Sequence, residues 1–207
     1  MIGRLYRRVI DAGSQPLARW RVDPNHVTVT ALACGLIACA AWLWTGNPFV
    51  FAGLLLLGGY LDALDGAVAR RTNRETPLGG YLDAVSDRVF ESAVLFSLAW
   101  RTSHWPICML MAIGGYSVSY AKARAAMEVS VSNLGWPHLM GREERVIGLV
   151  LTLVVWGLFR EARLAGYDLL TWGLGIMTAG MFFTTIRRFF YARSLMLNVA
   201  RPPLPLF

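Results

Sequence analysis

Apolar residues along the chain come in long blocks rather than in strand-like alternation. Six such stretches lie near residues 27–46, 48–69, 79–100, 105–125, 145–160 and 169–190. Most approach the ~20 residues that a helix needs to cross a bilayer. The fifth is short, and Arg145 and Arg160 at its ends are expected to snorkel towards the headgroups and extend its reach. Breaks come at Thr45-Gly46-Asn47-Pro48, at Thr76-Pro77-Leu78-Gly79, at 103–106, at 133–141 and at Gly166. Ahead of the first stretch, Leu5, Tyr6, Val9 and Ile10 share a helical face, with Arg4, Arg7, Arg8 and Asp11 mostly elsewhere and Pro16 as an interruption. That pattern predicts an amphipathic helix lying in the membrane interface. The first long apolar run starts only near Val27, too far from the charged start for a secretory signal, so no cleavage is expected. The expected fold is all-α: a polytopic membrane protein with six transmembrane helices preceded by an N-terminal interfacial helix. It forms one domain over 1–207, with a juxtamembrane helix at 1–22, a six-helix bundle at 23–192 and a tail at 193–207. There is no internal repeat and no low-complexity tract.

Composition sharpens this picture. The chain is 56% hydrophobic and 16% charged, against an apolar share of roughly 45–50% in soluble domains. A soluble domain and a disordered chain are both excluded. The formal charge is +7, and of 20 basic residues all but Lys122 are Arg. Their placement alternates. The N-terminal segment holds Arg4, Arg7, Arg8, Arg19 and Arg21, the second loop Arg70, Arg71 and Arg74, the fourth Lys122, Arg124, Arg142 and Arg145, and the tail Arg187, Arg188, Arg193 and Arg201. The opposite side has Arg101, Arg160 and Arg163, and Arg88 lies within the third stretch. The bias puts both termini in the cytoplasm. No segment reads as a basic nucleic-acid-binding helix. Cys34, Cys39 and Cys108 lie in apolar stretches without disulfide or zinc spacing, and His26, His104 and His138 are scattered.

Four acids break the apolar pattern. Asp62 and Asp65 in the second stretch and Asp83 and Asp87 in the third are spaced i, i+3 and i, i+4, so each pair shares a helical face. Facing lipid, each would cost about 2.5–3.5 kcal/mol, so they are expected to face the interior. The short connection predicts antiparallel neighbouring helices whose four carboxylates converge. Arg70 and Arg88 alone do not balance them. Oxygen-only ligation suits hard cations, Mg²⁺ or Mn²⁺ in an enzyme, and two ions sharing carboxylates suit displacement at phosphorus. Gly58, Gly59, Gly66, Ala69, Gly79 and Gly80 strip bulk from the same neighbourhood. A small cation channel or transporter is the rival of a different class. It accounts for the acids but not for Gly66, Ala69, Arg70 and Gly79 at these spacings.

Asp62-x-x-Asp65-Gly66-x-x-Ala69-Arg70, eight residues, then Gly79-x-x-x-Asp83-x-x-x-Asp87 resembles the signature of the CDP-alcohol phosphotransferase family at all eight fixed positions. The resemblance implies displacement of CMP from a CDP-linked lipid such as CDP-diacylglycerol by an alcohol, at the cytoplasmic face of the cell membrane. It implies two ions, Mg²⁺ or Mn²⁺, one held by Asp62, Asp65 and Asp83 and the other by Asp62, Asp83 and Asp87, with Asp87 also the general base. The CDP-lipid would lie against Asn25, His26, Val27, Thr28, Gly66, Ala69, Arg70, Thr76 and Gly79, with Arg70 on its diphosphate. A homodimer embedded among membrane lipids is the implied assembly.

Asp87-Arg88-x-x-Glu91, Ser119-Tyr120-Ala121-Lys122-Ala123-Arg124-Ala125 and Gly141-Arg142-Glu143-Glu144-Arg145 resemble the branch that uses inositol phosphate, the phosphatidylinositol-phosphate and archaetidylinositol-phosphate synthases. In that branch Lys122, Arg142 and one of Arg187 or Arg188 would clamp the acceptor phosphate. Glycerol 3-phosphate is the alternative acceptor with the same chemistry. Glu91, one turn beyond Asp87, is expected to support the ligands rather than hold metal.

Overall fold

The computed structural model describes residues 2–129, 136–137 and 139–199, with side chains over 9–129, 136–137 and 139–197. Seven helices account for almost all of them: α1 Ile2–Arg19, α2 Pro24–Thr45, α3 Pro48–Thr72, α4 Pro77–Thr102, α5 Trp105–Glu128, α6 Arg142–Leu158 and α7 Leu169–Val199. A two-residue antiparallel hairpin, β1 Arg163–Leu164 and β2 Tyr167–Asp168, joins α6 to α7. The tail expected at 193–207 lies outside the described residues from 200 onward, as do the side chains of Arg4, Leu5, Tyr6, Arg7 and Arg8.

Local chemistry sets the helix boundaries. Asp23-Pro24, Asn47-Pro48 and Thr76-Pro77 each place a capping side chain before a proline whose missing amide costs nothing in the first turn. Asn47 Oδ1 accepts from the amides of Phe49 (2.9 Å) and Val50 (3.3 Å), and Thr76 Oγ1 from that of Gly79 (3.0 Å). The opposite ends close on left-handed residues, Gly46 after α2, Asn73 after α3 and Ser103 after α4. Pro16 does not interrupt α1, which continues to Arg19. Ile10 and Leu17 hold that helix against α3 by packing with Leu64 and Ala67. Arg71 ties the two together through Asp11 at 2.8 Å.

The helices pack mainly as α2 on α3 and α4, α5 on α4 and α7, α6 on α3 and α7, and α1 on α3. This corrects the expected direct pairing of α3 with α4. Each packs on α2 instead, and the space between them is left for the acids. The core lies towards the other end of the bundle, where Trp42 stacks on Phe51 (5.1 Å between centroids) and meets Trp156 edge-on (6.3 Å). Leu55, Leu98, Leu153, Leu170, Leu174 and Met181 fill the rest.

Large apolar side chains also cover the outside, among them Ile37, Phe96, Met109, Leu151, Ile176 and Phe189. Exposed apolar surface on this scale marks a face meant for lipid. Pro24–Thr45, Pro48–Thr72 and Leu169–Leu197 are long and apolar enough to cross a membrane. Helix α6 has 17 residues, and α4 carries Asp83, Asp87, Arg88 and Glu91 in its N-terminal half.

The inside-out distinction is testable. Phe51 is fully buried and Phe189 is 62% exposed. Phe51→Ala is expected to destabilise by about 3–5 kcal/mol, and Phe189→Ala by less than about 0.5 kcal/mol. Unfolding of both variants in the same detergent checks the contrast.

Candidate active site

The C-terminal half of α3 and the N-terminal half of α4 bring the acids to one end of the bundle. Carboxylate oxygens of Asp62, Asp83 and Asp87 lie within 4.8 Å of one another. Asp65 stands apart from this trio, at 7% exposure. Its Oδ2 accepts the Thr28 hydroxyl at 2.5 Å, and its Oδ1 the amide of Gly66. The expected four-way convergence is thus three acids plus a fourth committed to α2. The i, i+3 spacing that puts Asp65 on the same face as Asp62 also rotates it by nearly a sixth of a turn towards Thr28.

Arg142, the first residue of α6, reaches into the trio. It pairs with Asp62, with Asp87 Oδ1 at 2.5 Å and more loosely with Asp83 at 3.8 Å. The Asp87 contact is an ion pair without hydrogen-bond alignment. The resemblance implies an acceptor phosphate on Arg142; the structure sets this side chain among the carboxylates. Nothing in a sequence pattern tells which charged partner a helix-terminal arginine meets.

One turn deeper, Glu91 takes Arg88 Nη1 at 2.7 Å and Arg145 Nε at 2.9 Å. Arg88 also donates to the carbonyl of Gly115 (3.3 Å) and Arg145 to that of Met140 (3.2 Å). Arg145 therefore does not snorkel. It is 5% exposed, because Glu91 offers it a counter-charge inside the bundle. Glu91 lies outside the trio, in the supporting position expected for it. Arg160 does reach the end of the bundle.

Two cavities open beside the acids. One of about 700 Å³ is bordered by Asp62, Asp65, Gly66, Arg70, Asp83 and Arg142. The other, of about 270 Å³, is lined by Asn25, Thr28, Gly66, Ala69, Thr76 and Gly79, with Asp65 and Asp83 common to both. Seven of the nine positions expected along a CDP-lipid thus border these spaces. Gly79 packs closely: a Cβ there would stand 3.2 Å from Thr76 Oγ1 and 3.3 Å from Asn25 Oδ1, tight enough that these side chains would have to shift. Val27 is buried among Ile10, Leu64 and Ala67, and His26 is exposed. Neither lines either of these cavities, whereas Pro24, Asn25 and Thr28 of the same helix line the smaller one. Arg74, Glu75 and Gly80 also line the smaller cavity and Arg71 the larger. In the sequence Arg71 and Arg74 stand out as loop cations and Gly80 as a small residue, and Glu75 has no signal beyond its proximity to the signature.

The remaining acceptor positions do not gather beside these cavities. Lys122 is half-buried on α5. Arg188 turns into the bundle, giving Nε to Pro137 O (2.8 Å) and Nη1 to Val118 O (2.6 Å). Arg187 turns outward, with Cζ 6.0 Å from the centroid of the Phe183 ring.

A model of the CDP-alcohol phosphatidyltransferase family matches residues 21–186. The chain belongs to this family. Among its relatives, an archaetidylinositol phosphate synthase of Pyrococcus horikoshii is 32% identical over 159 residues, 75% of this chain and 81% of the relative. The synthase of the same name from Methanothermobacter thermautotrophicus is 31% identical over 194 residues, 90% of this chain and 91% of the relative. A crystal structure of Mycobacterium tuberculosis phosphatidylinositol phosphate synthase with manganese and citrate shares the fold, with a TM-score of 0.73 at 23% identity over 89% of this chain and 88% of that one. As a CDP-alcohol phosphatidyltransferase, the chain is a membrane-embedded enzyme.

Glu91 gives the site a mechanical test. Glu91→Gln leaves Arg145 buried without its counter-charge and is expected to cost about 3–5 kcal/mol. Arg145→Met in that background should cost much less than in the wild type. A double-mutant cycle read by unfolding in detergent measures the coupling.

Proposed function

We propose that this CDP-alcohol phosphatidyltransferase moves a phosphatidyl group from a lipid of the CDP-diacylglycerol type to a hydroxyl of inositol phosphate, releasing CMP. The observation that carries the proposal is the meeting of Asp62, Asp83 and Asp87 beside two cavities bordered by the family's nucleotide positions. The names of the archaeal relatives support inositol phosphate as the acceptor.

The donor set fits Mg²⁺ or Mn²⁺. Three carboxylates converge with no nitrogen or sulfur ligand in the group. Asp62, Asp65 and Asp83 would hold one ion and Asp62, Asp83 and Asp87 the second. Bound there, the pair would offset charge on the phosphate oxygens. Asn25, Thr28 and Thr76 face the nucleotide, the small residues Gly66, Ala69 and Gly79 make room for it, and Arg70 takes the diphosphate.

Asp87 accepts the proton of the acceptor hydroxyl. That oxygen forms a bond to the lipid-bearing phosphorus, the P–O bond to CMP breaks, and its electron pair leaves on the CMP phosphate. Arg142, already among the acids, with Lys122 and Arg188, the inward-turned member of its pair, binds the acceptor phosphate. Arginine suits this through its forked donors.

Six of the helices, α2 to α7, cross the membrane in this reading, and α1 lies in the interface. Both termini and the acids face the cytoplasm, because Arg70, Arg71, Arg74 and Arg142 border the acidic end and belong to the arginine-rich side. The enzyme works as a homodimer.

Chelation, three substitutions and an acceptor panel test the proposal. Chelation with EDTA, or Asp62→Asn, should abolish CMP release. Asp87→Asn should retain binding of a CDP-lipid analogue while CMP release falls, and equal loss of both would remove the base role. Lys122→Ala should raise KM for inositol phosphate by roughly 10- to 150-fold, the cost of one charged hydrogen bond, with little change for the CDP-lipid. A panel of inositol phosphate, glycerol 3-phosphate, inositol and serine assayed by CMP release identifies the acceptor. Preference for glycerol 3-phosphate would keep the clamp and overturn the inositol assignment.

A further inference from the structure

The end of the bundle away from the acids carries few cations. Of twenty basic residues the loop pattern sets only Arg101, Arg160 and Arg163 there, and two of these three converge. Arg101, near the end of α4, gives Nη1 to the carbonyl of Leu43 at 3.0 Å. Arg160, just past α6, gives Nη2 to the carbonyl of Gly46 at 3.0 Å and lies over the Trp156 ring, 4.7 Å from its centroid. Gly46 has φ of 61°, and a Cβ there would stand 2.6 Å from Arg101 Nε. A bare left-handed turn thus admits the guanidinium.

Between the arginines lies a cavity of about 360 Å³, bounded also by Trp42, His104 and Asp168. A guanidinium offers five N–H donors. Each of these two spends one on a carbonyl among the described residues. Asp168 is the carboxylate on the wall, and its Oδ1 is engaged. It accepts from the Thr171 amide (2.9 Å) and hydroxyl (2.5 Å) and faces His104 Nε2 at 3.3 Å. Burial would raise the Asp168 carboxyl, but the Thr171 hydrogen bonds and His104 outweigh it and hold the group below its usual range. Two positive charges thus border the cavity while its one carboxylate is already partnered.

We propose that this cavity binds a phosphate oxyanion between Arg101 and Arg160, presented as the headgroup of an acidic phospholipid in the leaflet opposite the reaction. Forked guanidinium donors suit phosphate oxygens. Exposed Trp44, Trp100 and Trp105 at the same end place the cavity at headgroup level. Asp87 and Arg101 are both on α4, fourteen residues and so about 21 Å apart, so one phosphate cannot serve both ends. The lipid source rests on the membrane-crossing reading above; the phosphate chemistry does not.

Arginine labelling with phenylglyoxal, read residue by residue by peptide mass spectrometry on the full chain in neutral detergent, tests the site. Phosphatidylglycerol should suppress labelling of Arg101 and Arg160 while leaving Arg163 unchanged, and phosphatidylcholine should suppress none. Protection by inorganic phosphate alone would keep the anion site and overturn the lipid source. No protection by either, or equal protection of Arg163, overturns the site itself. Arg160→Gln should weaken retention of phosphatidylglycerol in native mass spectrometry roughly tenfold or more, with CMP release unchanged. Unchanged retention would overturn the role of Arg160, and if the variant does not fold the labelling of the wild type still decides.

Discussion

Asp62, Asp83 and Asp87 bring carboxylate oxygens within 4.8 Å of one another inside a bundle whose remaining surfaces are largely apolar. Like charges at that distance repel by about 3.5 kcal/mol per pair at an effective dielectric near 20. Much of the surrounding architecture answers this repulsion. Helices α3 and α4 each pack on α2 rather than closely on one another, which leaves the gap that the acids and both cavities share. Arg142 enters the gap from α6, and Thr28 on α2 draws Asp65 out of the crowded centre.

Charge balance then continues in depth. Beneath the trio, Glu91 holds Arg88 and Arg145, so that α4, through Arg88, reaches the Gly115 carbonyl on α5 and, through Glu91, reaches α6. Arg88 is also 3.8 Å from Asp87. With Glu91 as a closer partner, Arg88 stays near Asp87 Oδ2 without pairing with it tightly, while Oδ1 of the same carboxylate meets Arg142. The ion pairs here set orientation more than they supply stability, as expected for charges whose desolvation cancels much of their attraction.

Helix positions were legible in the sequence because they rest on local chemistry. Proline after a capping side chain marks three starts, and a left-handed residue marks three ends. The signature acids and the small residues around them were legible because charge in an apolar run has few explanations. What stayed hidden was partnership. Periodicity puts Arg145 at the end of a short apolar run and says nothing of Glu91, 54 residues away. The short connection between α3 and α4 suggested direct packing, but connection length does not reveal that α2 serves as the common neighbour. For Val27 and Asn25, two residues apart near the start of α2, the helical turn alone sends one into the core and the other to the cavity.

The two ends of the bundle solve opposite problems with the same side chain. At the acidic end arginine is the counter-charge: Arg142 and Arg145 are drawn inward because carboxylates await them. At the other end Arg101 and Arg160 meet helix-terminal and turn carbonyls, whose unsatisfied oxygens carry partial negative charge. A carbonyl neutralises far less of a guanidinium than a carboxylate does, so net positive charge survives there and is absent among the acids. The difference follows from partners rather than residue type. It makes one end a place where cations and a diphosphate can be held together, and the other a place with affinity for an anion alone.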